Sequence, residues 1–186
     1  MRIISGDARG RTLYAPQGQD TRPTSDKLRG SIFNILGARV VDARVLDLFG
    51  GTGALALEAL SRGAASAVIV DTSRQAIQCI ERNAKNVLKV DFDTRVRILK
   101  ADYRAAIEKA EGPFDLVFLD PPYRMEAAYG DALLRLVKAD KLAEGCVIVS
   151  ERARTAKLAL PPELQCYDVR QYGDTVVEFA RCQNQE

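Results

Sequence analysis

The sequence contains no histidine, and this absence narrows the chemistry that the protein can perform. Histidine is the commonest metal ligand and the commonest general base near neutral pH, so we expect catalysis by carboxylates, backbone groups and a bound cofactor, without a metal. The four cysteines (Cys79, Cys146, Cys166 and Cys182) form no C-x-x-C pair, which argues against a zinc site or a disulfide framework. No apolar run approaches the roughly 20 residues of a membrane span, and the N-terminus has no apolar signal segment. We therefore expect a cytoplasmic protein with no membrane partner.

The distribution of charge suggests where a partner binds. The 186 residues are enough for one α/β domain with a sizeable core, or at most two domains. Residues 1–44 contain eight basic and four acidic residues, a net charge of +4, whereas the whole chain carries only +2. A basic segment beside a near-neutral body suggests a polyanionic partner, although ordinary solvated arginines on a surface explain the same composition.

Residues 45–53 are the stretch around which the chain is organised. Residues 45–48 are apolar except for Asp47 and predict a short buried strand, and a glycine-rich turn then leads into an apolar-periodic helix over residues 54–60. The start of such a helix presents backbone N–H groups to a ligand, and glycines allow close approach to the main chain. Asp47 indicates a ligand with a positive group rather than a bare phosphate.

Two cofactors fit this junction. Residues 51–56 match the loose dinucleotide pattern G-x-G-x-x-A, and Asp71 ends the next apolar run, where a ribose-binding acid is expected. The same acid followed by glycines suits S-adenosylmethionine, which carries an ammonium group and no phosphate. The glycine stretch by itself leaves both cofactors open.

Strand and helix patterns alternate from residue 44 onward, which predicts an α/β fold with a mostly parallel sheet. Two final apolar segments flank Tyr172-Gly173-Asp174 without an intervening helix and predict an antiparallel hairpin. Residues 1–43 predict an N-terminal extension: a hairpin from residues 2–5 and 11–14, and a helix capped by Thr24 or Ser25 that ends at Gly37. Residues 44–186 form the second unit. The predicted strands of that unit cover residues 44–48, 67–71, 96–99, 114–120, 146–149, 165–170 and 175–180.

Four acids lie at the carboxyl ends of successive predicted strands: Asp47, Asp71, Asp102 and Asp120. Ligands of open α/β sheets bind at this edge. Asp102 alone would be explained as a helix N-cap, but four acids in succession favour a ligand site.

The tetrapeptide Asp120-Pro121-Pro122-Tyr123 closes the fourth predicted strand. A turn-forming Asp and strand-terminating prolines would explain these residues one by one. Together they do more, because the Pro121 carbonyl and the Asp120 carboxylate form a pair of acceptors suited to an –NH₂ group. The ring of Tyr123 can lie over a planar heterocycle, as aromatic side chains do when a base leaves its stack.

These motifs resemble those of a known family. Residues 120–123 resemble the (D/N/S)-P-P-(Y/F/W) motif of methyltransferases that act on exocyclic amines of nucleobases, and with residues 47–53 they resemble the Rossmann-like class I S-adenosylmethionine fold. Within that fold, the chain resembles the RsmD family, which are bacterial 16S ribosomal RNA (guanine-N2)-methyltransferases. This narrower resemblance depends on residues 2–6, 9–11, 22–24, 33–34 and 57–64. The resemblance covers nearly the whole chain, and Arg22-Pro23-Thr24 is more specific than the tetrapeptide. Gly51 departs mildly from the pattern of the family.

The resemblance implies a role for each motif residue. Asp47 and the backbone of residues 49–53 would hold the methionine end of S-adenosylmethionine, and Asp71 would bind its ribose hydroxyls. Asp102 and Tyr103 would lie near its adenine. The candidate cofactor-binding residues are Asp47, Phe49, Gly50, Gly51, Thr52, Gly53, Asp71, Thr72, Asp102 and Tyr103, and the candidate catalytic residues are Asp120, Pro121, Pro122 and Tyr123. The basic extension supplies the candidate RNA-binding residues, which are Arg2, Arg9, Arg11, Arg22, Thr24, Lys27 and Arg29.

The predicted reaction is direct in-line transfer of a methyl group to the N2 amine of a guanine in 16S rRNA, within a small-subunit ribosomal particle. The choice of guanine depends on the resemblance, so adenine N6 or cytosine N4 of RNA or DNA stays an alternative. An NAD-dependent oxidoreductase would leave the tetrapeptide without a role. A non-catalytic RNA-binding module would leave the four acids without one.

Overall fold

The computed structural model describes residues 1–15, 25–122, 125, 127–156 and 159–183, and a seven-stranded sheet forms its centre. The strands are β1 Arg44–Asp47, β2 Ser66–Asp71, β3 Val96–Lys100, β4 Phe114–Leu119, β5 Leu142–Ala153, β6 Leu164–Tyr172 and β7 Thr175–Cys182. Their order is β3-β2-β1-β4-β5-β7-β6. The first five strands are parallel, and β7 is antiparallel to both β5 and β6. The predicted α/β fold with a C-terminal antiparallel hairpin is therefore confirmed.

Helices cover both faces of the sheet. They are α1 Asp26–Leu36, α2 Ala54–Ser61, α3 Arg74–Leu88, α4 Phe92–Arg95, α5 Tyr103–Lys109 and α6 Ala128–Lys138, and the 3-10 helix Gly37–Val40 follows α1. Helices α1, α2 and α3 pack on one face, and α5 and α6 pack on the other. Val45 and Leu46 of β1 are fully buried on opposite faces, which explains why this strand reads as a continuous apolar run. Within the described residues, no helix combines the length and apolarity needed to cross a membrane.

The N-terminal residues form a shorter hairpin than the two strands predicted. A single antiparallel bridge joins Arg2 to Thr12, and the Ile3 N–H donates to the Arg11 carbonyl at 2.9 Å. Ile3 and Leu13 are buried in the same cluster as α1 and β1. The extension therefore shares one hydrophobic core with the sheet.

Polar contacts anchor the hairpin to α2. The side chain of Glu58 accepts the N–H groups of Ile4 and Ser5 at 2.8 and 3.0 Å. Gly6, at a φ of +86°, passes so close to the end of α2 that a Cβ there would lie 1.7 Å from the Ser61 carbonyl oxygen. Only glycine combines this left-handed conformation with this close approach.

The prediction that Arg29 contacts RNA is wrong. Its side chain is fully buried, and its Nε lies 3.5 Å from the equally buried carboxylate of Glu58. It also donates to the Arg2 carbonyl and to Asp26. Glu58 in turn binds Arg62 at 2.8 Å. A buried guanidinium is retained because it is paired and hydrogen-bonded, so Arg29 joins α1 and α2 instead of facing a phosphate.

Candidate active site

The four predicted acids lie along one edge of the sheet. Asp47 is the last residue of β1 and Asp71 the last of β2, whereas Asp102 follows shortly after β3 and Asp120 directly follows β4. Because these strands are parallel neighbours in the order β3-β2-β1-β4, the acids follow one another as Asp102, Asp71, Asp47 and Asp120. This is the edge at which open α/β sheets bind ligands.

The glycine turn between β1 and α2 has a tightly packed side and an open side. Gly50 donates to the Val70 carbonyl at 2.7 Å, and Gly53 donates to the Gly50 carbonyl at 2.6 Å. Gly51 and Gly53 have φ values of +55° and +78°, which favour glycine. A Cβ at Gly50 would lie 2.5 Å from a methyl group of Ile69, whereas a Cβ at Gly51 would meet no atom within 4 Å. The turn therefore packs against β2 through Gly50 and exposes its main chain at Gly51.

Asp71 is held in one orientation by main-chain donors. Its Oδ2 accepts the N–H of Gly51 at 2.9 Å, and its Oδ1 accepts the N–H of Ser73 at 2.8 Å. The side chain is half-buried, and Thr72 beside it is exposed. Each carboxylate oxygen can accept more than one hydrogen bond, so a fixed Asp71 retains acceptors for vicinal hydroxyls. Its ribose-binding role stays a prediction.

Asp47 is the most deeply buried of the four acids, with 2% of its surface exposed. Burial raises the pKa of Asp47 to about 7, repulsion from Asp71 acts in the same direction, and the N–H groups of Phe49 and Ala56 oppose the shift. Among the described residues, neither Asp47 nor Asp71 forms an ion pair with a basic side chain. A cationic ligand group would favour the ionised form of such a carboxyl group.

Asp120 has a carboxylate neighbour that the sequence reasoning missed. Burial raises the pKa of Asp120 well above its ordinary value, and repulsion from Glu151 and then from Asp47 raises it further. Glu151 lies on β5 directly after Ser150, which pairs with Leu119, the residue before Asp120. In the described part of the chain, no group of three or more cysteine or acidic side chains is arranged to hold a metal ion.

The two prolines of the tetrapeptide differ in exposure. Pro121 is buried and Pro122 is exposed, and the Pro122 carbonyl accepts the N–H of Met125 at 2.7 Å in a turn. The carbonyl of Pro121 stays the candidate acceptor for a substrate amine. Tyr123 lies outside the described residues.

Asp102 and Tyr103 have structural partners at the start of α5. Asp102 is the exposed N-cap, and its Oδ1 accepts the N–H groups of Arg104 and Ala105 at 2.8 and 3.1 Å. Tyr103 is only 3% exposed, its hydroxyl donates to Asp131 at 2.7 Å, and its ring lies 5.7 Å from that of Phe49. Packing and this hydrogen bond therefore occupy the side chain of Tyr103, and its position near the adenine stays a prediction.

Asn83 is a second residue that the sequence reasoning missed. It is fully buried on α3, and its amide nitrogen donates to the carbonyls of Tyr14 and Thr52, both at 2.9 Å. Its amide oxygen accepts the N–H of Tyr14 at 2.8 Å. Asn83 therefore joins the N-terminal segment to the glycine turn, and it was missed because an asparagine in a helix carries no positional signal.

The candidate RNA-binding residues of the extension do not share one environment. Arg2, Arg9 and Lys27 are exposed, whereas Arg22 and Thr24 lie outside the described residues. Arg11 is half-buried, and its Nη1 donates to the carbonyls of Asn86 and Val87 at the end of α3, both at 2.7 Å. Arg11 therefore stabilises the end of a helix, and only the exposed cations stay free candidates for phosphate.

Comparison with known proteins gives similarity along nearly the whole chain. Residues 1–181 match the family described as conserved hypothetical protein 95. YlbH of Bacillus subtilis strain 168 is 40% identical over 162 residues, which cover 85% of each protein. Ribosomal RNA small subunit methyltransferase D of Escherichia coli K12 is 40% identical over 124 residues, which cover 67% of this chain and 61% of that protein.

Solved structures extend the similarity to the fold. YhhF from Escherichia coli is 31% identical, with a TM-score of 0.87, and the match covers 100% of this chain and 99% of that one. TrmN from Thermus thermophilus is 25% identical, with a TM-score of 0.68, and the match covers 84% of this chain and 48% of that one. The similarity therefore includes the N-terminal extension as well as the sheet.

Proposed function

Since the chain belongs to the family described as conserved hypothetical protein 95, the RsmD family of ribosomal RNA methyltransferases, we propose that it methylates the N2 amine of a guanine in 16S rRNA. It is an S-adenosylmethionine-dependent methyltransferase with a Rossmann-like class I fold. The observation that carries the proposal is the meeting of the glycine turn, Asp71, Asp47 and Asp120 at one edge of the sheet. The guanine N2 atom and the small-subunit particle are its finer parts, and both come from the family resemblance.

The edge has the properties that S-adenosylmethionine requires. The main chain at Gly51 is open to a ligand, and Asp47 is a buried carboxyl group without a basic partner among the described residues. We assign the methionine end to Asp47 and to the backbone of residues 49–53. Asp71 with Thr72 takes the ribose, and Asp102 lies on the adenine side. The cofactor, when bound, supplies the electrophilic methyl group on its sulfonium.

The base is held by Asp120 and its neighbours. The lone pair of a guanine N2 amine is delocalised into the ring, so the amine is a poor nucleophile. The Asp120 carboxylate and the Pro121 carbonyl accept its N–H protons and favour a pyramidal nitrogen directed at the methyl group. The Tyr123 ring is assigned to the face of the base. Orientation of the two reactants by these contacts supplies much of the remaining rate enhancement.

The protonation state of Asp120 depends on its neighbours. Burial and repulsion from Glu151 raise the pKa of Asp120, so the free protein holds a proton there at a higher pH than an ordinary aspartate would. A bound cofactor would bring a positive charge to this edge and favour the ionised form of Asp120, which would then accept an N–H of the amine. The proton lost by the amine leaves to Asp120 or to water.

The test is transfer of labelled methyl from S-adenosylmethionine to 16S rRNA and to small-subunit particles, followed by nucleoside analysis. We expect labelled N2-methylguanosine, and a turnover reduced by at least ~100-fold in Asp120→Ala with nearly unchanged cofactor affinity. Asp174→Ala, at an exposed turn, is the matched control and should behave like the parent.

Two outcomes would contradict parts of this proposal. Label on adenine N6 or cytosine N4 would show that the assigned base is wrong. Methylation by Asp120→Ala at the parent rate would remove Asp120 from the chemistry.

A further inference from the structure

A cleft lies at the opposite edge of the sheet from the four acids. Its volume is about 340 Å³, and its lining includes Arg39 beyond α1, Glu144 at the beginning of β5, Tyr167 of β6 and Arg181 of β7. Val147, which also lines the cleft, lies opposite Leu116, four residues before Asp120 on β4, so roughly 13 Å of strand separates the nearer side of the cleft from the acids. The cleft is therefore too far away to belong to the candidate active site.

Tyr167 presents an aromatic ring to this cleft. The pairing of β6 with β7 changes register between Cys166 and Asp168, so Tyr167 is the extra residue of a bulge. Bulges redirect side chains, and the Tyr167 ring, 37% exposed, lies 6.2 Å from the buried ring of Phe179. The contact with Phe179 therefore holds the Tyr167 ring in one orientation at the cleft.

Two arginines flank this ring. The guanidinium carbon of Arg181 lies over the Tyr167 ring, 5.6 Å from its centre, so a base that stacks on this ring would displace the guanidinium toward the edge of the cleft. Arg39 is exposed, and its charge opposes the rise that burial causes in the pKa of Tyr167. In the described part of the chain, neither arginine lies within 4 Å of a carboxylate oxygen, even though Glu144 also lines the cleft. Among the described residues, no ion pair therefore neutralises the positive charge around the ring.

A planar ring between two cations suits a nucleotide. Every base has a face that stacks on an aromatic side chain, and arginine binds phosphate through its planar fork of donors. We propose that this cleft binds an unpaired nucleotide of the RNA substrate, with its base on Tyr167 and its phosphates on Arg39 and Arg181. This inference rests on the proposed function, and it gives the enzyme a second RNA contact far from the methylated base.

The separation of the two sites makes the inference testable by RNA length. A short oligonucleotide carrying the target base reaches only the acid edge, whereas full-length 16S rRNA can reach both edges. Tyr167→Ala should weaken binding of the long RNA by roughly 5- to 160-fold, the range for one lost stacking contact, and leave binding of the short RNA unaffected. Tyr167→Phe should bind like the parent, because stacking requires only the ring.

Charge reversal tests the phosphate contacts. In Arg39→Glu/Arg181→Glu, the log–log salt slope of binding to the long RNA should fall by at least about 1.4, since each phosphate contact contributes about 0.7 on single strands. The matched control is Lys109→Glu/Lys138→Glu, which reverses two exposed charges on α5 and α6, at the opposite face of the sheet. Unchanged affinity for S-adenosylmethionine shows that each variant is folded.

The outcomes separate this inference from the proposed function. An unchanged dissociation constant for the long RNA in Tyr167→Ala, or an equal loss in the lysine control, would overturn the cleft assignment. Failure of the parent protein to methylate RNA would overturn the proposed function, whereas the cleft would still be judged from binding alone.

Discussion

The carboxyl groups of the acid edge differ because their surroundings differ. Asp71 receives two main-chain N–H groups, and Asp102 caps a helix in solvent. Asp47 and Asp120 are instead desolvated and lie near other acids, so the pKa of each is raised. One type of side chain therefore supplies fixed hydrogen-bond acceptors at some positions and proton-holding groups at others.

The raised pKa of Asp47 predicts how stability changes with pH. The folded protein binds more protons than the unfolded chain between the ordinary pKa of 3.8 and the folded value of about 7. The contribution of Asp47 to stability is therefore fully present below pH 3.8 and is lost as the pH rises to about 7. In Asp47→Asn the side chain cannot ionise, so the variant does not lose stability as the pH rises through this range. At pH 8 the variant should be more stable than the parent by up to about 4 kcal/mol, and near pH 4 the two should be similar.

Urea unfolding of both proteins between pH 4 and pH 8, without cofactor, measures this difference. Asp174→Asn removes an exposed charge and serves as the control. Parallel stability profiles for Asp47→Asn and the parent would show that Asp47 ionises normally in the folded state.

At the scale of elements, the N-terminal hairpin combines attachment with exposure. Arg11 binds two carbonyls at the end of α3, whereas Arg9 at the tip is exposed. We therefore expect Arg11 to contribute to folding stability and Arg9 to contribute to RNA binding, although the two arginines look alike in the sequence.

Substitution of each arginine of this hairpin should have a different effect. Arg11→Ala should lower the free energy of unfolding by ~1.5–3 kcal/mol, because two charge-assisted hydrogen bonds to α3 are lost. Arg9→Ala should leave stability unchanged and lower the log–log salt slope of RNA binding by ~0.7–0.9. Urea unfolding and filter binding measure the two effects. A stability loss in Arg9→Ala equal to that in Arg11→Ala would contradict this division of roles.

At the scale of the whole molecule, the extension and the sheet share one core. Ile3, Leu13 and Ile32 pack in the same cluster as Val45 of β1 and Phe179 of β7. The carboxylate of Glu58 lies beneath the hairpin and joins it to α1 and α2. Residues 1–43 and residues 44–186 therefore follow one another along the chain but pack into one core. A separate RNA-binding role for the extension stays a proposal.

Removal of Glu58 should destabilise both parts together. Glu58→Ala leaves the buried guanidinium of Arg29 with only the more exposed carboxylate of Asp26 as an ionic partner and removes the acceptor of the Ile4 and Ser5 amides, so we expect a loss of roughly 3–5 kcal/mol in a single unfolding transition. Glu81→Ala, at an exposed position of α3, is the control. Circular dichroism measures the unfolding of both variants, and hydrogen exchange at the Ile4 and Ser5 amides reports the opening of the extension. Early exchange at these amides in the parent protein, ahead of global unfolding, would show that the extension opens independently.

Local patterns were sufficient for most elements of the fold. Strands such as β1 and β4 are buried on both faces, so their apolar runs were visible without neighbours. Ser25, one of the two predicted caps, caps α1. The seven-residue α5 was not predicted, because a helix of two turns shows too little periodicity. The fifth strand is predicted over residues 146–149, whereas β5 extends beyond both ends of this range, from Leu142 to Ala153.

The sequence by itself determined the α/β class, the succession of acids at strand ends and the family resemblance, because each depends on residues that are close along the chain. Only the tertiary structure decided the environment of each side chain. Arg29 is buried, Glu151 lies beside Asp120, and Tyr167 meets Arg181 across a bulge. These relations join residues on different elements. They depend on strand order, register and helix rotation, which no local pattern specifies.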